Sequence, residues 1–140
     1  MIVAGLGLRG AATVTSLRDA LERAFDAAEA CEVRLVRRVH LLATAQDKLG
    51  SPCLDQLAVE LGVSLRGVRR ELLERTPTLT DNPVVRQLRG GTSVAEAAAL
   101  AAALLCGATQ PRLLGPRAIS TDALATCALA VFEHPGGLLS

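Results

Sequence analysis

The sequence predicts an α/β fold: a layered α/β/α domain with a mixed, mostly parallel central sheet of about five strands. Two observations predict it. Short apolar runs of strand length alternate along the chain with segments whose apolar residues recur at helical spacing. The segment Ala123 to Phe132 is apolar at odd and even positions alike, so as a strand it needs cover on both faces. At 140 residues the chain makes one domain, assigned to residues 1–134, with 135–140 as a C-terminal tail.

Ile2 to Gly5 reads as a buried first strand. Thr15-Ser16 with Asp19 reads as a capped helix start. Leu17, Ala20, Leu21, Ala24, Phe25 and Ala28 then keep helical spacing to about Ala30. Val39 to Thr44 is a second strand. Ser51-Pro52 sets a cap before proline at the first helical position. Leu54, Leu57, Ala58 and Leu61 form that helix's apolar stripe, and Gly62 stops it. Val63 to Val68 is a third strand, weakened by Gly67, and Arg69 to Arg75 a short helix. Asn82-Pro83 repeats the cap-plus-proline device and opens a helix to Gly90-Gly91. Ser93 and Glu96 form a capping box ahead of an Ala-rich helix to Leu105. Arg112 to Gly115 and Ala123 to Phe132 are the last strands, an antiparallel pair joined by Pro116 to Asp122. The Ala-Leu character of the second keeps helix as its rival.

Composition narrows the function classes. Phe25 and Phe132 are the only aromatics, so aromatic stacking on bases is not a general binding device and nucleic acid is not expected as a partner. A net charge of +1 points to no polyanion. Arginines group at Arg37-Arg38 and from Arg66 to Arg70. Solvated faces explain them most simply, and recognition of carboxylates or phosphates is the alternative. Cys31, Cys53, Cys106 and Cys127 form no C-x-x-C, and neither His40 nor His134 stands at zinc-ligand spacing from them. The expectation is buried thiols in a reducing compartment, with no metal and no cofactor. Met1 leads straight into a strand without a basic leader. The longest charge-free apolar run, Ala97 to Ala108, is too short to span a bilayer. A cytoplasmic protein with no membrane partner is expected.

Gly5, Gly7 and Gly10 spell G-x-G-x-x-G after an apolar run, the outline of a dinucleotide site. Such a site needs a helix that starts inside the motif and an acidic residue roughly 20 positions on, at the tip of the second strand. Here the helix signal comes at Thr15-Ser16, and the second strand ends at Thr44 with no acid there. The glycines therefore read better as an open loop at the C-terminal end of the first strand, where ligands of open α/β sheets gather. A plain flexible turn is the simpler rival. A nucleotide-binding domain stays as a distant alternative.

Four stretches in order carry a resemblance. They are Gly5-Leu-Gly7-Leu-Arg9-Gly10 before a capped helix; Ala43-Thr44-Ala-Gln-Asp-Lys48 with Pro52 to Val63; Gly90-Gly-Thr92-Ser93-Val94-Ala95-Glu96-Ala97; and Gly115-Pro-Arg117 with Ala125-Thr126-Cys-Ala128. Together they resemble the CobE / CbiG C-terminal domain family of cobalamin (vitamin B12) biosynthesis, across nearly the whole chain. The resemblance implies a role in building the corrin ring and a corrin-precursor tetrapyrrole as partner, with other cobalamin-pathway enzymes as further partners. In that family the domain either ends a hydrolase that opens a lactone on the macrocycle or stands alone as CobE. The length fits the stand-alone form, acting as a carrier or accessory factor. A hydrolase of the CbiG type is the alternative.

Late corrin precursors are flat apolar rings fringed with carboxylates. A matching site needs an apolar groove and a few cationic or N–H donors at its rim. Gly5, Gly7 and Gly10 would allow close backbone approach. Arg9, Lys48 and Arg117 would pair with carboxylates. Thr44 ends the second strand, and Thr92, Ser93 and Glu96 mark a helix N-terminus that favours an anion. Each has a simpler rival: Ser93 and Glu96 a cap, Lys48 and Arg117 solvated loop residues, His40 a face histidine. Lys48 and Glu96 are the only acid–base candidates near this edge, so no catalytic residue is assigned.

Overall fold

The computed structural model describes residues 1–31, 37–75, 94–108, 110–115 and 117–132. The elements follow in order: β1 (Ile2–Leu8), α1 (Val14–Cys31), β2 (Leu41–Ala45), a 3-10 turn (Gln46–Lys48), α2 (Pro52–Leu61), β3 (Ser64–Val68), α3 (Arg70–Arg75), α4 (Val94–Leu105), β4 (Arg112–Leu113), β5 (Ala118–Ile119) and β6 (Ala125–Val131). They form one mixed sheet in the order β3-β2-β1-β6-β4, with β5 also paired to β6. β1, β2 and β3 run parallel, and β6 runs antiparallel to β1, β4 and β5. The expected layered α/β architecture is present, with six strands where about five are expected. The extra one is β5, inside the segment read as a connection. Its turn into β6 contains no glycine: Ala123 takes the left-handed conformation at φ 60° instead, so the usual turn signal is missing. The strand expected over Arg112 to Gly115 is only two residues long, ending before Gly115 at φ 133°.

The alternation of β1 sorts the two cores. Ile2, Ala4 and Leu6 pack with Leu17, Leu21 and Phe25 of α1 and Leu54 and Leu57 of α2. Val3 points the other way, to a cluster with Ala43, Val68, Leu73 of α3 and the alanines of α4. A strand covered on both faces has no polar side to show, which is why Ala123 to Phe132 reads as apolar on both alternating faces; its Ala125–Val131 part is strand, not helix.

α1 begins at Val14, slightly before the expected Ser16. Thr13 and Ser16 form the capping exchange: Thr13 N donates to Ser16 Oγ at 3.2 Å, and Ser16 N to Thr13 Oγ1 at 3.3 Å. Asp19, expected in the capping box, instead accepts the Thr121 N–H at 2.6 Å, across to the β5–β6 turn. Gly62 ends α2 in the left-handed conformation at φ 67°, as its sequence predicts. Ser51 holds the N-cap position of that helix, as expected, but its side chain makes no capping hydrogen bond; its hydroxyl donates to the Lys48 carbonyl at 2.7 Å. The helix expected from Asn82 to Gly91, and the tail 135–140, lie outside the described residues. Among the described residues no helix is long and apolar enough to cross a membrane, and no group of three metal-ligating side chains occurs.

Candidate functional site

Because β1, β2 and β3 are parallel, their carboxyl ends lie along one edge of the sheet, where ligands of open α/β sheets bind. Most of the residues predicted from sequence fall near this edge.

Among the described ones Gly5 stands apart. It sits in mid-strand beneath α4, where an added Cβ would stand 2.0 Å from the Ala95 carbonyl oxygen and 2.7 Å from Ala99 N. The backbone that approaches Gly5 is that of the helix, which corrects the expectation of an approach by ligand. Gly7 lies nearer the edge. A Cβ there would meet Thr126 Oγ1 at 2.6 Å and lie 4.0 Å from Ala95 N. The end of β1, the start of β6 and the first turn of α4 therefore converge at Gly7. The helix N-terminus beside the glycine motif belongs to α4 and not to α1.

Arg9 and Gly10 occupy the exposed turn after β1. The Arg9 amide donates to the Leu124 carbonyl at 2.9 Å, which holds this turn against the β5–β6 turn. Thr44 is buried, and its hydroxyl donates to the Leu6 carbonyl at 2.9 Å, binding β2 to β1 at the edge. Lys48 is half-buried at the end of the 3-10 turn that follows β2.

Glu96 and Arg117 meet. Glu96 stands fully buried in the first turn of α4, with Oε1 3.9 Å from Arg117 Nη1; the arginine side chain is 17% exposed. A carboxylate in the first turn favours the helix, and the guanidinium compensates its burial. Thr92 and Ser93, and with them the expected capping box, lie outside the described residues. In the turn between β5 and β6, Asp122 accepts hydrogen bonds from Ser120 Oγ at 2.6 Å, Ser16 Oγ at 2.6 Å and Leu124 N at 3.0 Å. The Ser120 hydroxyl above all, then that of Ser16, holds its pKa below the ordinary carboxylate value.

A cavity of about 660 Å³ opens at the same edge. Its apolar wall is Ala45, Val68, Leu73 and Val94; its polar wall is Gln46, Asp47, Arg69, Arg70 and Glu71. A second cavity, of about 520 Å³, shares Gln46, Arg69 and Glu71 with the first. None of the residues assigned to the site from sequence lines either one, and Lys48 and Thr92 to Ser93 only flank Asp47 and Val94 in the chain; Arg66, Arg69 and Arg70, which do line them, belong to the group whose alternative reading was carboxylate or phosphate recognition. The signal that marks this wall is the arginine group from Arg66 to Arg75 directly after a strand, a pattern equally expected of a solvated helix face.

The geometry can seat a ligand with an apolar body and an anionic rim. Residues 2–130 match the family described as cobalamin synthesis G C-terminus. Among solved structures, CobE, a protein from the cobalamin (vitamin B12) biosynthetic pathway, is 32% identical over 93% of this chain and 92% of its own, with a TM-score of 0.69. The cobalamin biosynthesis protein chiG from Agrobacterium tumefaciens is 30% identical over 94% of this chain and 98% of its own, with a TM-score of 0.62. A cobalamin biosynthesis protein G homolog from Sulfolobus solfataricus shares the fold, with a TM-score of 0.64 at 19% identity; this chain covers 37% of it. No curated protein matches the sequence. This chain belongs to the cobalamin synthesis G C-terminus family, as a CobE/CbiG-like protein of cobalamin biosynthesis.

Proposed function

We propose that the chain binds a corrin-precursor tetrapyrrole at the carboxyl edge of β1, β2 and β3 and acts as its carrier or accessory factor. The observation that carries this reading is the 660 Å³ cavity, with an apolar wall on one side and, on the other, a polar wall in which the exposed Arg69 and Arg70 stand beside Gln46, Asp47 and Glu71. An apolar macrocycle gains from burial against Ala45, Val68, Leu73 and Val94, and its carboxylates from guanidinium donors at the rim. Arg9 and Lys48 extend the cationic rim along the edge. Gly7, half-buried against Thr126, sets the end of β1 beside the first turn of α4, whose N-terminus favours an anion. Glu96 and Arg117 form a pair that fastens α4 to the chain between β4 and β5, a positioning role; this favours binding over the hydrolase alternative.

The test is a visible-absorbance and calorimetric titration with hydrogenobyrinic acid, using NADP as control. Saturable micromolar binding, weakened about tenfold by Lys48→Ala or Arg9→Ala, is expected. NADP binding without corrinoid binding would overturn the reading in favour of a nucleotide site.

A further inference from the structure

The second cavity has a property of its own. Its lining includes Arg66 from β3 and Arg75 from the last turn of α3, against Leu72 of α3 and Leu105 of α4. Nearby arginines already have carboxylate partners. Arg69 Nε is 3.9 Å from Glu71 Oε2, and Arg70 Nε is 3.2 Å from Glu74 Oε1. Among the described residues neither Arg66 nor Arg75 makes an ion pair, and both are exposed. Register explains how Arg66 reaches this place. It pairs with Ala43, whose side chain faces the α4 core, so Arg66 leaves the sheet on that same face. β3 is the edge strand, so the arginine leaves the core at the sheet's open side and stays in solvent. Two guanidinium groups without an ion pair among the described residues thus share a cavity with Leu72 and Leu105, and with Gln46 and Glu71, whose carboxylate is taken by Arg69, beside the cavity assigned above to the macrocycle.

We infer that Arg66 and Arg75 form a carboxylate subsite that distinguishes the free-acid side arms of the ring from their amides. This rests on the tetrapyrrole reading above. A guanidinium donates two parallel hydrogen bonds to a carboxylate and gains its charge; a primary amide offers a single acceptor oxygen and brings donors that the arginine cannot use.

The experiment compares hydrogenobyrinic acid with the same ring carrying primary amides in place of its carboxylates, on wild type, Arg66→Gln, Arg75→Gln, the double variant and Arg66→Lys. Wild type should prefer the acid by about tenfold or more, and the double variant should lose most of that preference. Arg66→Lys should keep part of it, because charge remains without the fork. Unchanged preference in the double variant overturns the subsite. Equal affinity of wild type for acid and amide also overturns it and leaves the binding reading standing. Failure of both rings to bind overturns the subsite and the binding reading together.

Discussion

Gly5 shows how one missing side chain shapes the molecule. β1 turns Gly5 toward α4, and the facing helix residues are alanines, buried from Ala95 through Ala99 except for Glu96, itself buried as an ion pair. Glycine against alanine brings the helix and strand backbones close, because nothing larger than a methyl group stands between them. A methyl group at Gly5 would overlap backbone atoms of Ala95 and Ala99, which cannot swing aside as a side chain would. Gly5→Ala should therefore destabilise the fold by about 1–3 kcal/mol, read as a lower urea midpoint at unchanged slope. A midpoint equal to wild type would mean that α4 does not rest on β1 as closely as described. Gly7→Ala meets only the Thr126 hydroxyl and is the milder change.

The turn between β5 and β6 shows how elements are tied. Asp122 links it to the start of α1 through Ser16, and Asp19 of α1 returns the link by accepting the Thr121 amide. Both carboxylates have pKa values lowered in the fold, Asp122 chiefly by Ser120 and Asp19 chiefly by Thr121. A carboxylate whose folded pKa lies below its ordinary value stabilises the fold above that value, and loses this contribution as pH falls through it toward the folded pKa. For Asp122 the ordinary value is 3.8. Asp122→Asn should lower Tm at neutral pH, and the difference from wild type should shrink as pH drops below about 4. A Tm difference that stays constant from pH 7 to about 3 would contradict this account.

For the whole molecule, β6 is the informative strand. It pairs with β1 along its length, receives β4 and β5 on its other side, and is covered by α1 on one face and α4 on the other. Cys127 lies on this strand, fully buried, and burial pushes its thiol far above the ordinary range. Cys53 and Cys106 are half-buried by comparison. Alkylation followed by peptide mapping should label Cys127 at the rate of global unfolding, with Cys53 and Cys106 ahead of it. Labelling of Cys127 in native buffer as fast as Cys53 would show that the sheet opens locally.

Much of this was written in periodicity. The stripe from Leu17 to Ala28 packs on the sheet as its spacing requires, Gly62 stops α2, and the doubly apolar run over β6 is a strand buried on both faces. Each depends on neighbours in the chain, or on a pattern that only one environment satisfies. The family resemblance was legible for the same reason, since its stretches keep order and spacing. The site was legible only as an edge. That Gly5 serves packing, that Thr44 closes on the Leu6 carbonyl, and that Glu96 and Arg117 become partners all depend on contacts between distant segments. The arginine wall is the clearest case. In the chain Arg66, Arg69, Arg70 and Arg75 look like one solvated group. The pleat of β3 and the turn into α3 separate them into two that are matched by glutamates and two that have no ion pair among the described residues. Local spacing governs helices and strands because their hydrogen bonds are local. A binding surface is assembled from side chains that meet only when the chain is folded, and so it was decided by the tertiary structure.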